Sequence, residues 1–213
     1  DFIVEGDNQP LPELPDTPFT EVDNQIARLV LEEIEDGACI QLGIGAMPNA
    51  IGSMIAKSDL KDLGVHTEML CDSFVDMYEA GVLTGRRKQI DKRKMVFTFA
   101  MGSRKLYDFM DDNPACAMYP VNYTNDPYVI SRNKKVVAIN NAIEIDLYGQ
   151  ACAESSGTRQ ISGTGGQFDY IFGSYKSEGG KGFVCLSSTV VDKNGELESR
   201  IKPTITLGGT VTG

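Results

Sequence analysis

The sequence predicts an α/β fold: a mainly parallel sheet flanked by helices, with further β structure added in the second half. Three observations predict it. Short apolar runs of strand character alternate with helical segments from Thr20 to Arg132, the order that lays helices over both faces of a parallel sheet. A glycine turn, Gly43-Ile44-Gly45, stands between one such strand and the helix after it. From Lys134 onward, KKVVAINNAIEIDLYG, SGTGGQFDYIFGS and GFVCLSSTVV read as strands and loops with little helix.

Each element has its own reason. Residues 1–19 read as an interdomain linker, because the stretch from 7 to 19 holds four prolines among its acids, and proline removes the N–H that a regular helix needs. Thr20 caps a helix with apolar positions Val22, Ile26, Leu29, Val30 and Ile34, ending at Asp36-Gly37. The strand ACIQL follows. The glycine turn then leads into the helix AMPNAIGSMIAKS, with Pro48 near its first turn, where a missing N–H costs nothing. VHTEML, KMVFTFA and ACAMYPV read as strands, SFVDMYEAG and SRKLYDFM as helices, and DPYVISR as a helical turn. No internal repeat or low-complexity tract interrupts the order.

Composition narrows the function classes. A chain of 213 residues, 41% hydrophobic and 23% charged, buries a real core. Its net charge of −10 argues against nucleic acid, which is bound through clustered Lys and Arg. No apolar run approaches the ~20 residues that span a bilayer, and the first residues lack the regions of a signal peptide. Cys39, Cys71, Cys116, Cys152 and Cys185 are odd in number, scattered and mostly apolar in context, so they read as reduced core residues of a cytoplasmic protein rather than as a metal or redox set.

Four places carry candidate chemistry. Gly43-Ile44-Gly45 allows a ligand to approach the backbone at a helix N-terminus, although Pro48 replaces the third glycine of a dinucleotide fingerprint. Glu68 follows a buried strand at a position where open parallel sheets bind ligands; the plainer alternative is an ion pair or a helix cap. His66 shares its face if the strand is regular, and no carboxylate cluster accompanies it at metal-ligand spacing. Gly163, Gly165 and Gly166 form a second small-residue loop, which turns the chain sharply or lets a flat group lie on it. The basic run Arg86 to Lys94 reads as a solvated face or, less readily, as a phosphate contact.

In order, LGIGAMPNAI, HTEML, PVNYTNDPYVI, INNAIEIDLYGQ and SGTGGQFDY resemble the second half of a family I coenzyme A transferase. The subgroup resembled is that of the single-chain 4-hydroxybutyrate, butyrate and acetate CoA-transferases, allied to the acetyl-CoA hydrolase and transferase family. The resemblance implies that Glu68 in HTEML is the nucleophile. It implies that Gly45 and Gly166 are backbone oxyanion donors, with Gly43 and Gly165 shaping their loops. Asn125 in TNDP would position the glutamate or the bound carboxylate, Gln167 would face the same site, and His66 receives no role.

It further implies that residues 20–213 are a C-terminal CoA-transferase domain truncated at its end, with the N-terminal domain absent from this chain. Coenzyme A is then substrate and product rather than a bound cofactor, and no metal is expected. The partners are an acyl-CoA and a short-chain carboxylate such as acetate, with a homo-oligomer expected for the full-length protein. Two other readings stay open: an acyl-CoA hydrolase on the same scaffold, in which water intercepts the intermediate, and a nucleotide- or sugar-phosphate-binding domain without a covalent step.

Overall fold

The computed structural model describes residues 4–7, 9–15 and 18–213. The expected linker falls in part on residues 1–3, 8, 16 and 17, outside the described residues. Its described part forms no helix or strand. It is tied to the domain by Leu14 N–H donating to Gly102 O at 3.0 Å and Tyr107 Oη donating to Pro12 O at 2.8 Å.

In chain order the elements begin with α1 (Glu21–Leu31), β1 (Cys39–Leu42), α2 (Ala46–Ala56), β2 (Gly64–His66), β3 (Met69–Leu70) and α3 (Asp72–Glu79). Next come β4 (Met95–Phe97), β5 (Phe99–Ala100), α4 (Arg104–Met110), β6 (Cys116–Met118), α5 (Val121–Thr124) and α6 (Pro127–Ile130). The second half holds β7 (Val136–Asn141), β8 (Glu144–Asp146), β9 (Ala151–Cys152), β10 (Ser155–Ser156), β11 (Arg159–Gln160) and α7 (Gln167–Lys176). The chain closes with β12 (Lys181–Cys185), β13 (Thr189–Val191), β14 (Leu197–Ser199) and β15 (Ile201–Lys202).

The main sheet runs β12-β7-β1-β2-β4-β6, parallel throughout. Strand alternation sorts its side chains between two faces. Ile40, Leu42, Val137 and Ile139 point into the larger core with Ile51, Ile55 and Phe74, under α1, α2 and α3. Cys39, Val136 and Ala138 point the other way, against Ile130 of α6 and Tyr170 of α7. Each fully buried Leu, Ile or Phe contributes about 1.5–3 kcal/mol by leaving water, so the two faces together fix the strand order.

The predicted class is therefore the observed one, with four local differences, one being that KMVFTFA forms two strands, β4 and β5, parted at Thr98. The Thr20 cap is a full capping box with Asp23, but α1 gives way to turns after Leu31 and leaves Val22 and Leu29 exposed; Ala27 and Val30 supply its buried contact. VHTEML is two short strands broken at Thr67-Glu68, because both Thr98 N–H and Phe99 N–H donate to Glu68 O, at 3.0 and 3.2 Å. Finally, the second half contains a ten-residue helix, α7, where little helix is expected, and β7 and β12 extend the parallel sheet. The helix buries Tyr170, Gly173 and Ser174 instead of aliphatic residues; a Cβ on Gly173 would lie 2.6 Å from Ile130 Cγ2, so glycine sets how closely α7 approaches α6. The added β structure is present as the three-stranded sheet β15-β8-β9 and the antiparallel pairs β10-β11 and β13-β14.

Candidate active site

The chain starts the main sheet in its middle, at β1, adds β2, β4 and β6 on one side, and then returns to place β7 and β12 on the other. The carboxyl ends of β1 and β7 thus form the switch point at which open parallel sheets bind ligands. A crevice of about 270 Å³ lies there. It is lined by Gly43 after β1, Glu68 after β2, Asn140 and Asn141 at the end of β7, and Gly165, Gly166 and Gln167 at the start of α7. The glycine turn, the HTEML segment and the GTGGQ loop therefore converge on one place.

Glu68 is half-buried, and its backbone is fixed by the paired bonds from the neighbouring strand described above. Its side chain is held from across the crevice, where Gly166 N–H donates to Glu68 Oε2 at 3.0 Å. Gly166 is needed for its lack of a side chain rather than for its backbone, which has φ −82° and ψ 4°. A Cβ there would lie 2.6 Å from Asn125 Nδ2 and 2.7 Å from Glu68 Oε2, so amide and carboxylate meet over its Cα.

Asn125 sits at the C-terminal end of α5, its own N–H bonded to Val121 O at 2.9 Å. Its Oδ1 accepts from Thr124 Oγ1 at 3.1 Å and lies 3.5 Å from Tyr170 Oη. That arrangement turns the NH₂ group toward Gly166 and Glu68. His66 does not reach the crevice as its spacing from Glu68 suggests, because the strand breaks between them. It is fully buried, with Nε2 2.9 Å from Thr124 O. Burial lowers its pKa to about 4, so the ring is neutral near pH 7.

The floor of the crevice is a buried amide pair: Gln41 Nε2 donates to Asn140 Oδ1 at 3.2 Å, and Asn140 Nδ2 to Gln41 Oε1 at 2.9 Å. Asn141 Nδ2 bonds Ile44 O at 3.0 Å and so clamps the glycine turn. Gly43 lines the crevice, but Gly45 faces an adjoining cavity of about 530 Å³ with Asn49, Ser53 and Asp72. A second carboxylate, Glu154, lines the crevice and accepts from Thr164 Oγ1 at 3.1 Å. Close by, burial and the Glu68 and Asp126 charges raise the pKa of Asp169, and burial holds Tyr170 well above the usual tyrosine value.

Other charged groups are engaged elsewhere. In the basic run, Arg86 and Arg87 pair with Asp62, and Lys88 is buried, donating to Val65 O and Lys94 O at 2.8 Å each, while Lys92 and Arg93 are exposed. Glu144 accepts from Thr206 N–H and Oγ1, both at 2.7 Å, and Glu79 pairs with Lys105 on the surface. Among the described residues no group of three or more His, Cys, Asp or Glu could hold a metal ion, and no helix is long and apolar enough to cross a membrane. Of the residues at or behind the crevice, Thr124, Tyr170, Gln41 and Asn140 have no role readable from the sequence; their partners stand 46 to 99 positions away.

Fold and crevice together define a doubly wound α/β domain that presents a carboxylate, with a backbone N–H donor, at its switch point. The chain belongs to the acetyl-CoA hydrolase/transferase family, whose C-terminal-domain model matches residues 102–213. It is 56% identical over its whole length to the butyryl-CoA:acetate CoA-transferase of Anaerostipes caccae and 42% identical over 212 residues to the 4-hydroxybutyrate coenzyme A transferase of Clostridium kluyveri. It covers 48% of each, so the chain spans about half the length of these relatives. The crystal structure of RipA from Yersinia pestis superposes over 96% of the chain and 45% of its own with a TM-score of 0.87 at 40% identity. An acetyl-CoA hydrolase of Candida albicans is more distant, at 33% identity over 184 residues, 78% of this chain and 32% of its own.

Proposed function

We propose that the protein carrying this chain transfers coenzyme A between a short-chain acyl-CoA and a free carboxylic acid such as acetate, with Glu68 as the nucleophile. The observation that carries this reading is the Glu68 carboxylate, half-buried in the switch-point crevice with Gly166 N–H 3.0 Å from one of its oxygens. Greater identity to named CoA-transferases than to a named hydrolase supports transfer over hydrolysis.

The chemistry follows from the two oxygens having different roles. Oε1 attacks the thioester carbonyl, and collapse of that adduct expels CoA thiolate and leaves an acyl-glutamyl anhydride. The thiolate then adds to Glu68 Cδ and expels the first acid, leaving a glutamyl-CoA thioester. The second acid runs both steps in reverse, so no water is consumed and one difficult exchange becomes four easier ones. When sulfur or carboxylate adds to Cδ, the negative charge develops on Oε2, the atom already bonded to Gly166 N–H. A preorganised donor of that kind is worth about 10²–10³ in rate. Asn125 Nδ2 flanks the same group, as a neutral donor.

No resident cofactor is needed. The five free cysteines fit a reducing compartment such as the cytoplasm.

The test is to incubate the protein with acyl-CoA and no acceptor acid, then reduce with borohydride. The peptide containing HTEML should be converted to an alcohol at Glu68, and Glu68→Ala should abolish both this adduct and acyl exchange. Undiminished exchange by a folded Glu68→Ala protein overturns the assignment. Release of free thiol without exchange would make the protein a hydrolase instead.

A further inference from the structure

We infer that the carbonyl of Thr124 is a hub through which His66 and Tyr170 aim the Asn125 amide at Glu68, making both of them positioning residues for the proposed transfer site. The inference rests on the reading of Glu68 and Asn125 given above.

Three separate elements meet at this carbonyl. Thr124 ends α5, where the last helical carbonyls have no partner within the helix. His66 Nε2 reaches it from β2 at 2.9 Å, and Tyr170 Oη reaches it from α7 at 2.8 Å. A carbonyl only accepts, so His66 is the Nε2–H tautomer. His66 lies two residues before Glu68 on the same chain segment, and Tyr170 N–H bonds Gly166 O at 3.0 Å in the first turn of α7. The carbonyl thus joins the segment bearing the carboxylate to the helix bearing the N–H donor, and the residue after it is Asn125. With the Thr124 peptide fixed from two directions, its Oγ1 holds Asn125 Oδ1 at 3.1 Å and leaves the NH₂ group facing Glu68.

A second observation distinguishes this from ordinary core packing. His66 Nδ1 is buried with no hydrogen-bond partner. A histidine serving the core alone would be replaced at a gain by an apolar residue, since the unpaired nitrogen costs stability. Its one bond, to Thr124 O, is what the side chain supplies.

The test uses the protein that carries this chain. Tyr170→Phe keeps the ring and removes only the hydroxyl. It should lower kcat for acyl exchange about tenfold or more while the KM for acyl-CoA stays near wild type, since misplacement of a site group by about an ångström costs up to 10²-fold. His66→Leu should do the same, and His66→Gln, which returns an N–H near the position of Nε2, should recover most of the loss. In an Asn125→Ala background Tyr170→Phe should cost nothing further, because residues acting through one group are not additive.

A readout independent of turnover accompanies these. In protein labelled with ¹⁵N-asparagine, the Asn125 side-chain amide signal should shift or broaden in Tyr170→Phe and in His66→Leu. An unchanged Asn125 signal in folded Tyr170→Phe, or an equal fold-loss with and without Asn125, overturns the proposal. A wild-type protein without acyl exchange would refute the transferase reading, while the amide signal would still decide the role of the hub.

Discussion

Replacing Gly166 by alanine separates the stability of this domain from its activity. The added Cβ would stand 2.6 Å from Asn125 Nδ2, 2.7 Å from Glu68 Oε2 and 3.1 Å from Glu68 Cδ, where ordinary contact begins at 3.4 Å. The carboxylate must therefore retreat by about 0.7 Å, losing its bond to the Gly166 N–H. The backbone at Gly166, with φ −82° and ψ 4°, is open to alanine, so no dihedral strain is added. Alanine also narrows the unfolded ensemble, worth about 0.4–1 kcal/mol, which offsets much of the local crowding. Folding stability should thus change by less than about 1 kcal/mol, while acyl exchange falls about 10²–10³-fold through the lost donor and the displaced nucleophile. Gly165→Ala, whose Cβ would lie 3.9 Å from Glu68 Oε2, should lose much less. Urea denaturation gives the first quantity and steady-state exchange between acyl-CoA and labelled acetate the second. Wild-type turnover by folded Gly166→Ala would refute the reasoning, because it would show that the N–H and the carboxylate need not stay in register.

Other changes test other parts of the molecule. His66 has a folded pKa of about 4 against an ordinary 6.5, so its contribution to stability is present above pH 6.5 and is lost as pH falls toward 4. The loss is at most about 3 kcal/mol, and His66→Gln should flatten this limb of the stability–pH profile in thermal melts. Gly52→Ala should destabilise by about 1–2 kcal/mol despite the better helix propensity of alanine, because its Cβ would meet Ser73 Cβ at 2.5 Å and Leu42 Cδ1 at 3.1 Å; the urea midpoint reports it. Phe74→Ala empties a fully buried site in the larger core and should cost about 3–5 kcal/mol, with a matching fall in Tm.

The parts of this fold legible from sequence are those where the local signal and the packing agree. ACIQL is apolar on both faces because both faces are covered, and the glycine turn and Pro48 mark the entry to α2 from composition alone. HTEML read as one strand because its residues suit a strand; the break at Glu68 comes from two N–H groups on a strand some thirty positions later. The helix α7 was hidden because its buried face is Tyr, Gly and Ser while Phe168 and Tyr175 face outward, which inverts the usual periodicity. At the site, Glu68, Asn125 and Gly166 came from a resemblance in ordered motifs, and their proximity is a property of the fold. The same resemblance implies Gly45 as a backbone donor; in the fold Gly43 lines the crevice and Gly45 the adjoining cavity. His66 could not be given a role because its partner, Thr124 O, is a main-chain atom 58 positions away.

The pinning of Glu68 by main-chain bonds bears on how such a domain can diversify. Two N–H groups hold its carbonyl and a third holds its carboxylate, and none of the three donors is a side chain, so most point mutations leave all three bonds in place. Of the side chains around the crevice, Ile44 is exposed and can change without disturbing any of these three bonds. On the proposed reading, selection for a new acid would act on the walls while Glu68 keeps its coordinates, so that substrate range and chemistry would be separately heritable traits of one crevice.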